Sequence, residues 1–127
     1  MTRWQPSNAC LDIYEDAALA GIDGLTVPAV AEGAEHVYHQ YTVRVAAGER
    51  DRVRDALRDE HGVGSGVYYP IPNHRLPSLA RFAPAEELPE TERAAQELLS
   101  LPVHPSLTAG DLDRIVIGVA AVMSAGG

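Results

Sequence analysis

Between Arg50 and His61, Val53, Ala56 and Leu57 recur at helical spacing inside a run of charged residues, and Gly62 stands just beyond. The pattern predicts a helix over 50–61 with one apolar stripe, closed by a glycine. On its solvated side Asp51 and Arg54, then Asp55 and Arg58, lie three apart, pairs that add little stability. Pro89 suits a first helical turn, and Ala94, Ala95, Leu98 and Leu99 then recur with Glu90, Glu92, Arg93 and Glu97 facing out, which predicts a helix over 89–99. Thr108-Ala109-Gly110-Asp111 is a capping box with Asp in place of the usual Glu, and it opens a last helix over 109–123. Ser7 as N-cap, the face Leu11, Tyr14 and Ala18, and the stop at Gly21 predict a first helix over 8–20, after a leader of residues 1–7.

Strand signals lie between these helices. Val37, His39, Tyr41, Val43 and Val45 alternate with His36, Tyr38, Gln40, Thr42 and Arg44, predicting a strand over 36–45 whose inner face is apolar except for His39. Leu25 to Pro28 reads as a short extended piece, Val63 to Pro70 as a strand, and Leu101 to Pro105 as a proline-bound edge strand with His104 toward solvent. Leu76, Leu79 and Phe82 are expected to pin the stretch 75–88 to the body. Four helices and short strands able to pair antiparallel predict a two-layer α+β domain, with helices on one face of a small, mainly antiparallel sheet.

The totals narrow the function. At 127 residues the chain fits one domain. Eighteen acidic residues against ten basic give a net charge of -8, which argues against nucleic acid, where clustered positive charge supplies the affinity. No apolar run approaches the ~20 residues that span a bilayer. The single cysteine, Cys10, cannot form an internal disulfide, and residues 1–10 lack the apolar core of a secretory signal, so the expected compartment is the cytoplasm.

The densest candidate chemistry is Val63-Gly64-Ser65-Gly66-Val67-Tyr68-Tyr69-Pro70-Ile71-Pro72-Asn73-His74. Strand alternation puts Tyr68 opposite Val67 and Tyr69, and two prolines stiffen the exit that carries His74. A stiff polar loop at a strand end suits a binding site and equally an ordinary strand exit. His36 and His39 resemble a metal-binding pair, but an odd separation on a strand sends them to opposite faces, so no metal is expected and His39 reads as a hydrogen-bonded core histidine. All ten basic residues are arginine. Without a lysine the chain has no side-chain amine for a Schiff base.

In order, HVYHQYTVRV, RDALRDEHGVGSGVYYPIPNH and LPETERAAQELLSLPVHPSLTAGDLDRIV, preceded by YEDAALAGIDGLTVP, resemble the C-terminal small domain of the DegT/DnrJ/StrS family of sugar aminotransferases over about residues 14 to 117. The resemblance implies a fold like that of the small domain of aspartate-aminotransferase-like, fold type I, enzymes. It also implies a complete enzyme that uses pyridoxal phosphate to move an amino group, usually from glutamate, onto a nucleotide-linked keto sugar, with active sites at a dimer interface. The family's cofactor lysine belongs to a large domain not seen in this sequence, so no cofactor is expected on this chain alone. The segment matching Val67 to His74 lies on the substrate side in that family, which makes Tyr68 the leading site residue, with Tyr69 and His74 behind it. The family's L-H-L-Q-P after the paired prolines is Asn73-His74-Arg75-Leu76-Pro77 here, which removes an amide and adds a charge.

Two readings follow. The chain is the small domain, or one half, of such an aminotransferase and is silent alone, or it is a free-standing binding or assembly module that keeps the fold. A self-sufficient enzyme using Tyr68 and His74 as acid and base lacks a legible carboxylate or second base. Leu112, Ile115, Val116, Ile117, Val119, Ala120, Val122 and Met123 wrap most of the last helix. This predicts that the helix packs against a second copy of the chain or against the large domain.

Overall fold

A computed structural model describes residues 18–34, 36, 38–104 and 106–126. Along the chain run β1 (Leu25–Thr26), β2 (Tyr41–Val45), α1 (Arg50–His61), two short 3-10 helices (Asn73–Arg75 and Pro77–Phe82), α2 (Pro89–Glu97), β3 (Leu98–Leu101) and α3 (Ala109–Ala125). The expected leader, and the expected helix over 8–20 up to residue 17, lie outside the described residues; residues 18–20 form a turn.

The sheet has the order β1-β2-β3 and is antiparallel throughout. Tyr41 pairs with Leu101 and Val43 with Leu99, so two buried rows stand side by side on one face. Val53 and Leu57 of α1 and Leu112, Ile115, Val119 and Val122 of α3 close over that face in a single core. The two helices approach closely because residue 118 is glycine: a Cβ there would sit 3.2 Å from His61 Cβ. On the sheet's other face Arg44 Nε donates to Glu97 at 2.9 Å and ties in α2. The α+β class and the small antiparallel sheet are as the pattern predicted, but the helices are not confined to one face, because the Arg44–Glu97 pair holds the end of α2 on the face opposite the core.

The helix over 50–61 forms with the predicted bounds, and Gly62 closes it in the left-handed region at φ 66°. The capping box at Thr108 is complete: its hydroxyl accepts from Asp111 N–H while Asp111 accepts from Thr108 N–H. Elsewhere tertiary contacts override local pattern. The strand expected over 36–45 begins only at Tyr41. Tyr38 takes φ 46°, its N–H donates to His36 Nδ1 at 2.8 Å, and the two rings stack at 4.1 Å, which breaks the alternation. His39 is therefore exposed and is not a core histidine, while Tyr38 is buried in its stead.

The strand expected over 63–70 reduces to one bridge, in which Gly66 and Ser100 exchange N–H···O bonds of 2.9 and 2.8 Å on the outer edge of β3. Tyr69 at φ 59° prevents its continuation. The helix expected over 89–99 stops at Glu97, and Leu98 and Leu99 enter β3 without an intervening turn. No glycine is needed there because a neighbouring helix supplies the cap. Arg50 Nη1 of α1 donates to Ala95 O at 2.6 Å and to Leu98 O at 3.4 Å. The edge strand expected over 101–105 is replaced by β3, and Pro102 to His104 is irregular with His104 exposed. In the stretch 75–88 Leu76 is half-buried, but Leu79 and Phe82 are exposed rather than pinned.

The last helix is less evenly apolar in its setting than its sequence implies. Leu112, Ile115, Gly118, Val119 and Val122 are buried on one side. Of the opposite residues Asp113, Arg114, Ile117, Ala121 and Ser124, only Ile117 is a large exposed hydrophobe.

Candidate functional site

A groove of about 530 Å³ opens where the Gly66 bridge gives way to the proline-bound exit. One wall is Tyr68, Tyr69, Pro72, Asn73 and His74, and the other is the face of α2 bearing Thr91, Ala94 and Ala95, with Leu88 and Leu98 at its ends. The three residues singled out in the sequence, Tyr68, Tyr69 and His74, thus line one space. Tyr68 is 55% exposed and Tyr69 76% exposed.

Glycine 66 makes the pose of Tyr68 possible. The phenol folds back over it, so that a Cβ at 66 would lie 2.6 Å from the ring's Cζ and 2.8 Å from the hydroxyl. Tyr68 also borders a second hollow of about 400 Å³, lined by His39, Gln40, Ser65, Ser100 and His104 among others. Ser100 is fixed there by a 2.8 Å bond between its hydroxyl and that of Thr42. The Tyr68 ring is the shared wall of the two spaces.

His74 is placed beside Glu92. Its Nε2 lies 3.4 Å from Glu92 Oε1 on α2, and the same oxygen receives the Arg75 guanidinium. The Arg75 hydrogen bond, with the His74 ring behind it, holds the Glu92 carboxyl below the usual carboxylate range. Glu92 and Thr91 were not legible as site residues. Glu92 reads as an outward helix charge, and nothing local links it to a histidine 18 positions earlier.

The groove offers stacking surfaces, an amide, hydroxyls and one imidazole, and among the described residues no carboxylate lines it. That donor set can bind and orient a ligand. Among the described residues no cluster of His, Cys, Asp and Glu is placed to hold a metal ion. No helix among them is long and apolar enough to cross a membrane.

The sequence profile of the DegT/DnrJ/EryC1/StrS aminotransferase family matches residues 5–120. The chain belongs to this family. A pleiotropic regulatory protein of Geobacillus stearothermophilus is 44% identical over 86 residues, which are 67% of this chain and 22% of that protein. The dTDP-3-amino-3,4,6-trideoxy-alpha-D-glucose transaminase of Micromonospora megalomicea subsp. nigra is 38% identical over 109 residues, covering 85% of this chain and 29% of the relative. Among solved structures, Streptomyces venezuelae DesV in complex with a ketimine intermediate superposes with a TM-score of 0.81 at 32% identity, over 94% of this chain and 31% of DesV. This DegT-family chain therefore spans less than a third of the length of these relatives. Its fold is that of part of a fold type I aminotransferase.

Family membership implies pyridoxal phosphate, and the residues present do not fit its covalent anchor. That anchor is a lysine amine, and the sequence contains none.

Proposed function

We propose that this chain is the small, substrate-side domain of a pyridoxal-phosphate-dependent aminotransferase that aminates a nucleotide-linked keto sugar, with glutamate as amino donor. The observation that carries the reading is the groove, which gathers Tyr68, Tyr69 and His74 from the family's substrate-side segment against α2. The phenols would stack on the ligand, and Asn73, Thr91 and His74 would meet its hydroxyls. The cofactor and its lysine would come from the larger portion of the enzyme, and catalysis in the cytoplasm would require both. The exposed side of α3, with Ile117 at its centre, offers a secondary contact through which the isolated chain would self-associate.

Tyr68→Phe tests the site. The Tyr68 ring is half exposed, so the isolated variant should keep its thermal midpoint, whereas turnover in the complete enzyme should fall several-fold. A loss of stability above ~2 kcal/mol would mean that the hydroxyl makes a buried structural bond, and the site assignment would fail. Borohydride reduction of the isolated chain with pyridoxal phosphate should label no internal residue, and a label inside the sequence would overturn the division of labour.

A further inference from the structure

Glu92 stands at the rim of the groove, one position along α2 from Thr91, which lines it. Its N–H donates to Leu88 O at 3.0 Å, so the first turn of α2 fixes where its side chain starts. One carboxyl oxygen, Oε1, then meets two groups of the strand exit, His74 Nε2 at 3.4 Å and the Arg75 guanidinium. The His74 side chain is only 13% exposed, and Glu92 is the ring's only hydrogen-bond partner among the described residues.

The direction of that contact follows from the carboxylate. The Arg75 hydrogen bond, and behind it that of His74, hold the Glu92 carboxyl below its ordinary range, so at neutral pH it is ionised and can only accept. His74 Nε2 must therefore carry the proton. In a neutral imidazole the other nitrogen is then bare, an acceptor with no hydrogen to give. The groove's other polar side chains, Tyr68, Tyr69, Asn73 and Thr91, can each donate as well as accept, and among the described residues no arginine lines it. Arg75, next in sequence to His74, is engaged by Glu92. A bare nitrogen accepts from a hydroxyl and repels the oxygens of a phosphate, and a groove without a fixed cation gives a phosphate nothing to pair with.

We propose that Glu92 is a positioning residue: it holds His74 as the Nε2–H tautomer, so that Nδ1 accepts from a hydroxyl of a neutral sugar ring and the phosphates of a nucleotide-linked ligand lie outside the groove. The ligand half of this inference rests on the substrate-side reading above. The tautomer half rests on the geometry of His74, Arg75 and Glu92 alone.

The test uses the isolated chain labelled with nitrogen-15 histidine, at about pH 8, above the ordinary histidine range. Long-range proton–nitrogen spectra give the tautomer of each ring, and His74→Gln identifies the His74 signals. His74 should be almost wholly the Nε2–H tautomer, and Glu92→Leu should return it to the mixture shown by exposed His39. A side chain that merely braced the strand exit would not move this signature. Next, dTDP-glucose, a stable nucleotide-linked sugar, and dTDP are added separately at millimolar concentration. The sugar nucleotide should shift His74 Nδ1 upfield, as acceptance of a hydrogen bond does, dTDP should not, and Glu92→Leu should lose the shift. An Nδ1–H tautomer in the wild-type chain, or a tautomer that Glu92→Leu leaves unchanged, would overturn the role of Glu92. A shift with dTDP alone would show phosphate at His74 and overturn the ligand assignment. If dTDP-glucose moves the signals of Tyr68 and Tyr69 but not of His74, the inference is wrong and the small-domain reading stands. If it moves no signal of the groove, the substrate-side reading falls and the ligand half falls with it, while the tautomer result still decides the role of Glu92.

Discussion

Replacing Gly66 by alanine should move Tyr68 without touching it. The backbone at 66 is in a region open to any residue, and its bridge to Ser100 uses only main-chain atoms, so alanine can keep both. The new methyl would stand 2.6 to 2.8 Å from the end of the Tyr68 ring, a distance at which the ring must swing away. Displacing a half-exposed phenol costs about 0.5–1.5 kcal/mol in rotamer and contact energy. Alanine returns about 0.4–1 kcal/mol by restricting the unfolded chain. The single variant should therefore stay within ~1 kcal/mol of wild type, about 4 °C in thermal midpoint at this size. In a Tyr68→Ala background the clash is gone and only the gain remains. Gly66→Ala should then stabilise, and the cycle should give a coupling of about 0.5–1.5 kcal/mol. Circular dichroism melts of the four proteins measure it. A coupling below ~0.3 kcal/mol would refute the claim that the ring rests on Gly66, and with it the shape given to the groove.

Arg50→Ala should cost about 2–3 kcal/mol in urea unfolding, because the Ala95 and Leu98 carbonyls lose a buried charged donor, and Arg50→Lys should recover only part of it. Thr108→Ala should lower stability by ~1 kcal/mol through loss of the α3 cap. The Thr108 N–H holds Asp111 below the usual carboxylate range. A depressed folded value stabilises fully above the unfolded one, so this contribution should disappear as pH falls from about 4 through the folded value, and Asp111→Asn should flatten that acid limb.

Elements whose caps and stripes are local were legible in the sequence. Helix α1 carries its own stripe and its own stop at Gly62, and α3 carries its own capping box. Boundaries fixed by distant groups were not. Helix α2 ends at Glu97 because Arg50, 45 positions away, caps its carbonyls, so Leu98 and Leu99 looked helical while belonging to β3. Alternation over 36–45 is genuine, yet Tyr38 turns its backbone to pair with His36, and no period-two pattern registers a positive φ. The site was half legible. Adjacent tyrosines, two prolines and a histidine marked one wall, while the opposite wall on α2 and the contacts of His74 and Arg75 with Glu92 exist only once the chain is folded.

The central claim is that this domain completes an aminotransferase that it cannot run alone. The most direct measurement is amino transfer from glutamate to a dTDP-linked keto sugar, assayed with this chain, with the part of Streptomyces venezuelae DesV outside its matched 31%, loaded with its cofactor, and with the two mixed. Neither component should turn over, and the mixture should, with activity saturating as this chain is added. Turnover by the chain alone, or a DesV portion whose activity the chain does not raise, would contradict the account.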